Sequence, residues 1–220
     1  MPALFVDRTE AGQALARRLV SRAWAAPVVV LALPRGGVPV AAEVARALGA
    51  PLDLLLVRKI GVPWNPELAV AALVDGDPPE LVIDEAMRRL TGVSRDDIEM
   101  AVTLARTEIE RRRQLYVGAR APLTVQGSTV IVVDDGVATG TTVRAALQAL
   151  RRRAPARLVL AVPVAPPDTA RALAAEVDEL VCLAEPEPFE AVGRHYRDFH
   201  QVSDAEVLAA LHAAAPDAAH

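Results

Sequence analysis

The sequence predicts a doubly wound α/β fold, a mainly parallel sheet with helices on both faces. Three observations carry that prediction. Short β-branched or leucine-rich runs alternate with amphipathic stretches over nearly the whole chain. Two of those runs pass through glycine-containing loops directly into a helix. At 220 residues the chain is long enough for one substantial core, so a single domain over 1–220 is expected, with a helical insertion at 79–118 and a small C-terminal hood at 185–220.

In chain order, Thr9 to Trp24 places Leu15, Leu19, Val20 and Ala23 on one face between arginines, an amphipathic helix capped by Asp7 or Thr9. Val28 to Leu33 reads as a buried strand, and after Pro34-Arg35-Gly36-Gly37 comes a helix from Val38 to Leu48. Leu52 to Val57 is a further apolar strand that leads into Arg58-Lys59-Ile60-Gly61-Val62-Pro63-Trp64-Asn65-Pro66-Glu67. Leu68 to Val74 and Leu81 to Ile83 pair as a hairpin across Asp75-Gly76-Asp77-Pro78-Pro79. Asp84 to Leu90 and Ser94 to Tyr116 are helices, the second with Ser94 and Asp97 as a capping box. Its stripe of Ile98, Ala101, Val102, Ala105 and Ile109 packs against the domain or against another subunit. Arg157 to Val164, Asp168 to Ala175 and Glu179 to Leu183 continue the alternation as strand, helix and strand.

The chemistry concentrates between Val130 and Thr142. Val130 to Val133 form a strand buried on both faces. Asp134 and Asp135 stand at its end, Gly136 and Gly140 bracket a loop of small and hydroxylic residues, and Thr141 or Thr142 caps the helix that follows. Glycine lets backbone approach an anion, and the first N–H groups of a helix point at it. Carboxylates instead accept from vicinal hydroxyls. Together these describe a clamp for a ribose 5-phosphate. The Walker spacing G-x-x-x-x-G-K-[ST] is absent, and Gly136 and Gly140 lack the G-x-G-x-x-G spacing of a dinucleotide site.

Val-Ile-Val-Val-Asp-Asp-Gly-Val-Ala-Thr-Gly-Thr-Thr resembles the signature by which type I phosphoribosyltransferases bind 5-phosphoribosyl 1-diphosphate (PRPP). The likeness extends through Asp7-Arg8 near the start, Leu-Pro-Arg-Gly-Gly-Val-Pro-Val-Ala, Val-Arg-Lys-Ile-Gly, Pro-Glu-Leu-Ala and Val-Gly-Arg-His-Tyr-Arg-Asp-Phe to a group of that family with no assigned acceptor. It covers almost the whole chain. The resemblance implies transfer of the phosphoribosyl group to a purine or pyrimidine base with release of pyrophosphate, as in nucleotide salvage. It implies that Val137, Ala138, Thr139, Gly140, Thr141 and Thr142 hold the 5-phosphate. Arg35, Gly36 and Gly37 would hold the pyrophosphate with Arg58 and Lys59, in a loop whose peptide geometry is irregular in relatives. Catalytic roles fall to Asp134, Asp135, Arg58 and Lys59, with Mg²⁺ as cofactor held by the two acids through water.

Two departures stand out. Relatives often carry an acidic proton acceptor where this chain has Val137 or Ala138, and Ala71-Ala72 occupy a place where glycine is expected near the lid. Phe189, Tyr196 and Phe199 either stack on the acceptor or anchor the C-terminal segment, and Trp64 is either a lid residue or the cover of an apolar edge. A PRPP-binding sensor without transfer activity is the alternative function, and hydrolytic or phosphorolytic handling of a phosphorylated ribose is a third.

The resemblance implies PRPP and a small-molecule base as partners, and composition adds no other. A net charge of -4 gives no electrostatic reason to expect nucleic acid, and Arg151 to Arg153 read as a solvated helix end. Cys182 is the single cysteine, which excludes an intrachain disulfide. The first residues lack the pattern of a signal peptide and no apolar run is long enough to span a bilayer, so a cytoplasmic protein without a membrane partner is expected. The long helix makes a homodimer the expected assembly.

Overall fold

The computed structural model describes residues 3–25, 27–118 and 120–214. Two sheets organise it. In the larger, β1 (Val28–Ala32), β2 (Leu52–Leu54), β6 (Thr129–Val133), β7 (Arg157–Val164) and β8 (Glu179–Ala184) run parallel in the order β2-β1-β6-β7-β8. The smaller is antiparallel, in the order β3 (Val57–Val62), β4 (Asn65–Val74), β5 (Glu80–Ile83).

Strand alternation divides the core into two layers. Val30, Ile131 and Val159 face α1 (Arg8–Val20), α2 (Gly37–Leu48) and α7 (Asp204–Ala213). Val29, Leu31, Val130, Val132, Leu158 and Leu160 face α5 (Thr141–Arg152) and α6 (Pro167–Ala174). A strand buried on both faces has no polar side to alternate with, which is why these segments are continuous apolar runs. The fold is therefore the doubly wound α/β architecture that the sequence predicts.

Asp7 caps α1, taking the Glu10 N–H at 2.8 Å. The helix ends at Val20, short of Trp24, whose indole N–H turns back to the Leu19 carbonyl at 2.9 Å. The expected strand from Leu52 to Val57 is two strands instead. Leu55 and Leu56 leave the large sheet, and Val57 starts the small one. Both parts are buried, so the run stays apolar through the break and shows no turn signal.

Arg58 and Lys59 do not follow the end of a strand: β3 runs on through them to Val62, and a tight turn at Pro63-Trp64 enters β4. Gly61 permits this return, because a Cβ there would stand 2.1 Å from the Pro66 carbonyl oxygen. Trp64 is 65% exposed at the hairpin tip, so it covers no apolar edge. Ala71 and Ala72 lie inside β4 opposite Ile83 and Val82, in the strand rather than in a lid.

α3 (Glu85–Thr91) and α4 (Arg95–Tyr116) follow the small sheet, α4 starting with the capping box of Ser94 and Asp97. Its stripe of Ile98, Ala105 and Ile109 is buried in this domain, with Ala101 and Val102 packed against the same core. Arg151 to Arg153 are not a simply solvated end. Arg151 makes two bonds to Asp178, while Arg152 and Arg153 reach Glu80 and Arg153 also donates to the Asp75 carbonyl. The bonds of Arg152 and Arg153 tie α5 to the small sheet.

Cys182 lies half-buried in β8, with its thiol donating to the Ala184 carbonyl at 3.2 Å. Burial pushes its pKa up to about 11. Only the thiolate reacts with alkylating reagents. Native protein at pH 8 is expected to take up iodoacetamide at least about tenfold more slowly than the urea-unfolded chain, as read by mass spectrometry; equal rates would show that the thiol is accessible.

Candidate active site

β1 and β6 are adjacent, and from them the chain winds outward in opposite directions, through β2 on one side and β7 and β8 on the other. Loops leaving the carboxyl ends of two such strands flank an open crevice, the usual ligand position in an open α/β sheet. Here those loops are Leu33–Gly36, between β1 and α2, and Asp134–Gly140, between β6 and α5.

The two loops touch through glycine. A Cβ on Gly36 would stand 2.0 Å from Asp135 Oδ2, and one on Gly37 would stand 2.7 Å from the Val133 carbonyl oxygen and 2.9 Å from Asp134 Cα. Only hydrogen fits between the loop and the acid pair. The Pro34–Arg35 peptide is cis, an irregular bond in the loop where the sequence led us to look for one.

Asp134 and Asp135 are both half-buried. The Asp135 N–H donates to Asp134 Oδ1 at 2.9 Å, which orients the first carboxylate. Asp135 Oδ2 accepts from Arg8 Nε at 2.8 Å. Burial raises the pKa of Asp134 well above the carboxylate range, and the neighbouring Asp135 charge adds to the rise. Burial also raises that of Asp135, against the opposing pull of Arg8.

Sequence reasoning missed Arg8. The expected helix starts at Thr9 and assigns this arginine no role, yet it is the first residue of α1 and only 8% exposed. Nη1 donates to the His200 carbonyl at 2.9 Å, and the guanidinium lies 3.9 Å from the centroid of the Phe199 ring. The Asp-Arg pair near the start of the chain was its only signal, and nothing local says where that arginine points.

Beyond the acids, Gly136 has φ +156, and a Cβ on it would stand 2.6 Å from Val192 Cγ1. Gly140, with φ +77, is the N-cap of α5. The expectation that Thr141 or Thr142 caps this helix is therefore corrected: no side chain caps it, and Thr141 is its first residue. Thr139 and Thr141 place their hydroxyls 3.3 Å apart beside it. An uncapped first turn presents N–H groups to a ligand. Val137 does not belong with this cradle. Its side chain is 3% exposed and its N–H donates to the Val164 carbonyl at 2.9 Å, so neither faces a phosphate.

Arg35 Nη1 lies 3.5 Å from Asp204 Oδ1 at the start of α7, and the same oxygen accepts from the Tyr116 hydroxyl at 2.5 Å. Arg58 and Lys59 are exposed neighbours within β3, so the pleat sends them to opposite faces. Arg58 lines a small cavity with Pro34, Glu108 and Arg112, while Lys59 sits opposite Ala72, which packs in the layer of α5. They do not form one cationic unit.

Of the three candidate acceptor rings, Tyr196 and Phe199 pack on each other and Phe189 packs on His195. Tyr196 is 5% exposed between Phe5 and Phe199, at centroid distances of 5.5 and 5.1 Å, and its hydroxyl donates to the Asp135 carbonyl at 2.5 Å. Its ring has no free face for a base, which is the anchoring alternative for this residue. Phe199 carries Arg8 and packs on Gly193, and Phe189 lies 5.0 Å from the His195 ring. The cluster anchors the C-terminal segment beneath the acid pair.

Two adjacent carboxylates suit a hard cation. Among the described residues no group of three or more acidic, histidine or cysteine side chains converges on a possible ion. Such a pair fits Mg²⁺ that keeps most of its ligands as water and substrate oxygen.

A parallel sheet with an acid pair and an uncapped helix start at its switch point belongs to the α/β proteins that seat ligands at the carboxyl edge of the strands. Residues 7–195 match the sequence profile of the phosphoribosyl transferase domain, and the chain belongs to that family. A protein of Mycobacterium tuberculosis H37Rv, "Putative phosphoribosyl transferase Rv0571c", is 45% identical over 210 residues, covering 94% of this chain and 46% of its own. The chain thus spans about half the length of the curated relatives it matches first. The crystal structure of TT1426 from Thermus thermophilus superposes with a TM-score of 0.78 at 42% identity, covering 96% of this chain and 98% of that one. A shorter stretch of 74 residues, 31% of this chain and 41% of the relative, is 36% identical to the "Bifunctional protein PyrR" of Mannheimia succiniciproducens. Among the described residues no helix is long and apolar enough to cross a membrane.

Proposed function

We propose that this chain transfers the 5-phosphoribosyl group of PRPP to a ring nitrogen of a purine or pyrimidine base and releases pyrophosphate. The observation that carries the reading is the contact of the Gly36-Gly37 loop with the acid pair. It brings a glycine-containing loop, two carboxylates and an uncapped helix start to one crevice. In the reaction the bond from the anomeric carbon to the diphosphate oxygen breaks and a bond to nitrogen forms, with the nitrogen's proton passing to solvent or to a group on the substrate.

Ala138, Thr139, Gly140, Thr141 and Thr142 hold the 5-phosphate by backbone N–H groups and hydroxyls. Asp134 and Asp135 accept from the ribose hydroxyls. Arg35 and the N–H groups freed by Gly36 and Gly37 take the diphosphate, and Arg58, beside Pro34, adds its charge there as negative charge develops on the leaving group. Mg²⁺ would be held by Asp134 and Asp135 through water and would neutralise diphosphate oxygens. Holding both ends of PRPP fixed supplies orientation, the larger part of what such a dissociative reaction needs. The reading implies nucleotide salvage, a cytoplasmic setting and a homodimer.

One observation favours the sensor as the second reading: the position of the usual proton acceptor is taken by Val137 or Ala138, and neither side chain can accept a proton. The deciding experiment measures pyrophosphate release from PRPP and Mg²⁺ over a panel of bases, with a no-base control and calorimetric PRPP binding alongside. Release dependent on one base is the expected result. Tight PRPP binding without release for any base would replace transfer by sensing, release without a base would point to hydrolysis, and no PRPP binding would sink all three.

A further inference from the structure

The carboxyl half of α4 runs beside the loop that takes the diphosphate in the reading above. Glu108, Arg112 and Tyr116 are spaced i, i+4, i+8, so successive side chains drift by only about 40° and share one face of the helix. Glu108 and Arg112 line a small cavity together with Pro34 and Arg58. One turn further on, the Tyr116 hydroxyl donates at 2.5 Å to the Asp204 oxygen that lies 3.5 Å from Arg35 Nη1. Pro34 and Arg35 are consecutive in the loop, so a single helix face accompanies both. Ile109 and Tyr116 are buried in the core layer that includes α1 and α2, which fixes the direction of that face.

Arg112 is anchored at one end and open at the other. Its Nε donates to Glu108 Oε1 at 2.6 Å, and Glu108 also takes Arg111 through Nε at 2.9 Å and Nη2 at 3.1 Å. The two guanidiniums pull the Glu108 pKa down to about 2, so this carboxylate stays charged and holds both arginines at neutral pH. The anchor uses the Nε group, which leaves the Nη groups of Arg112 as donors. Within the cavity Arg58 and Arg112 have one carboxylate between them, and it is shared with Arg111. Cationic charge is therefore in excess beside the loop.

We propose that Arg112 is a further diphosphate-binding residue, donating from its Nη groups beside Arg58, and that Glu108 is the positioning residue that orients it. The inference rests on the transferase reading above and gives the inserted helix a part in the chemistry. As the bond from the anomeric carbon to the diphosphate oxygen breaks, the electron pair stays on that oxygen. Arg112 meets the charge there, and no proton changes hands.

Calorimetric titration of the whole chain with pyrophosphate and Mg²⁺, and separately with ribose 5-phosphate, tests this. The parent chain is expected to bind both. Arg112→Gln should weaken pyrophosphate about five- to twentyfold and leave ribose 5-phosphate within about twofold. Arg112→Lys keeps the charge without the planar fork and should lose less. Arg95→Gln removes the same charge from the other end of the helix, about 26 Å away, and should bind pyrophosphate as the parent does. Glutamine is a good helix former, so circular dichroism and melting temperature should stay as in the parent. Parent-like pyrophosphate affinity in Arg112→Gln would overturn the role of Arg112 and leave the transferase reading standing. Equal losses in Arg95→Gln would do the same, by showing an effect of net charge alone. A parent chain that takes no pyrophosphate, with or without ribose 5-phosphate binding, would overturn the diphosphate loop and this inference together.

Discussion

Asparagine in place of Asp135 is expected to lower PRPP-dependent transfer by about 10²- to 10³-fold, the scale on which a single positioned charge at a reacting centre acts. Stability should move by less than about 2 kcal/mol, a shift of under about 8 °C in the melting temperature of a chain this size. The sign follows from the site. Burial raises the Asp135 pKa against the pull of Arg8, so the fold favours the uncharged form, and loss of the charge relieves a cost. The amide still offers Arg8 an oxygen acceptor. Steady-state kinetics and thermal melts of one preparation make the test. Full transfer activity would remove Asp135 from the mechanism, and unfolding would show that its role is structural.

The second large effect is expected at Gly37. Alanine at the start of a helix normally favours it over glycine by up to about 1 kcal/mol. Here the new Cβ would stand 2.7 Å from the Val133 carbonyl oxygen and 2.9 Å from Asp134 Cα, both parts of the backbone and unable to rotate away. Overpacking of this kind costs about 1–3 kcal/mol, and a melting temperature lower by roughly 3–10 °C is expected. Transfer should fall further than stability explains, because the clash pushes on the acid pair itself. A Gly37→Ala protein as stable and as active as the parent would mean that the two loops stand farther apart than described.

Much of this architecture is legible in the sequence because the buried strands and helix caps are local signals. The run from Arg157 to Val164 matches its strand end to end, and Ser94 with Asp97 marks the start of α4. The acid pair and the glycines around it are legible because each has a backbone reason to be there. What fails is whatever depends on neighbours distant in the chain. Leu52 to Val57 hides a break, since its two halves are buried in different sheets and both must be apolar. Arg58 and Lys59 look like a pair until the pleat separates them. Tyr196 looks like a platform until Phe5 and Phe199 close over it. Arg8 is the clearest case, because its partners Asp135 and His200 lie 127 and 192 residues away.

Those two bonds set an order of events on the ribosome. Phe5 bridges to Tyr196, and Arg8 donates to the His200 carbonyl, so the carboxylate beside it gets its full support only after residue 200 has emerged from the exit tunnel. Most of the large sheet can form before that. A chain that stops short of His200 would carry the strands and the Asp134–Gly140 loop but a loosely held Asp135.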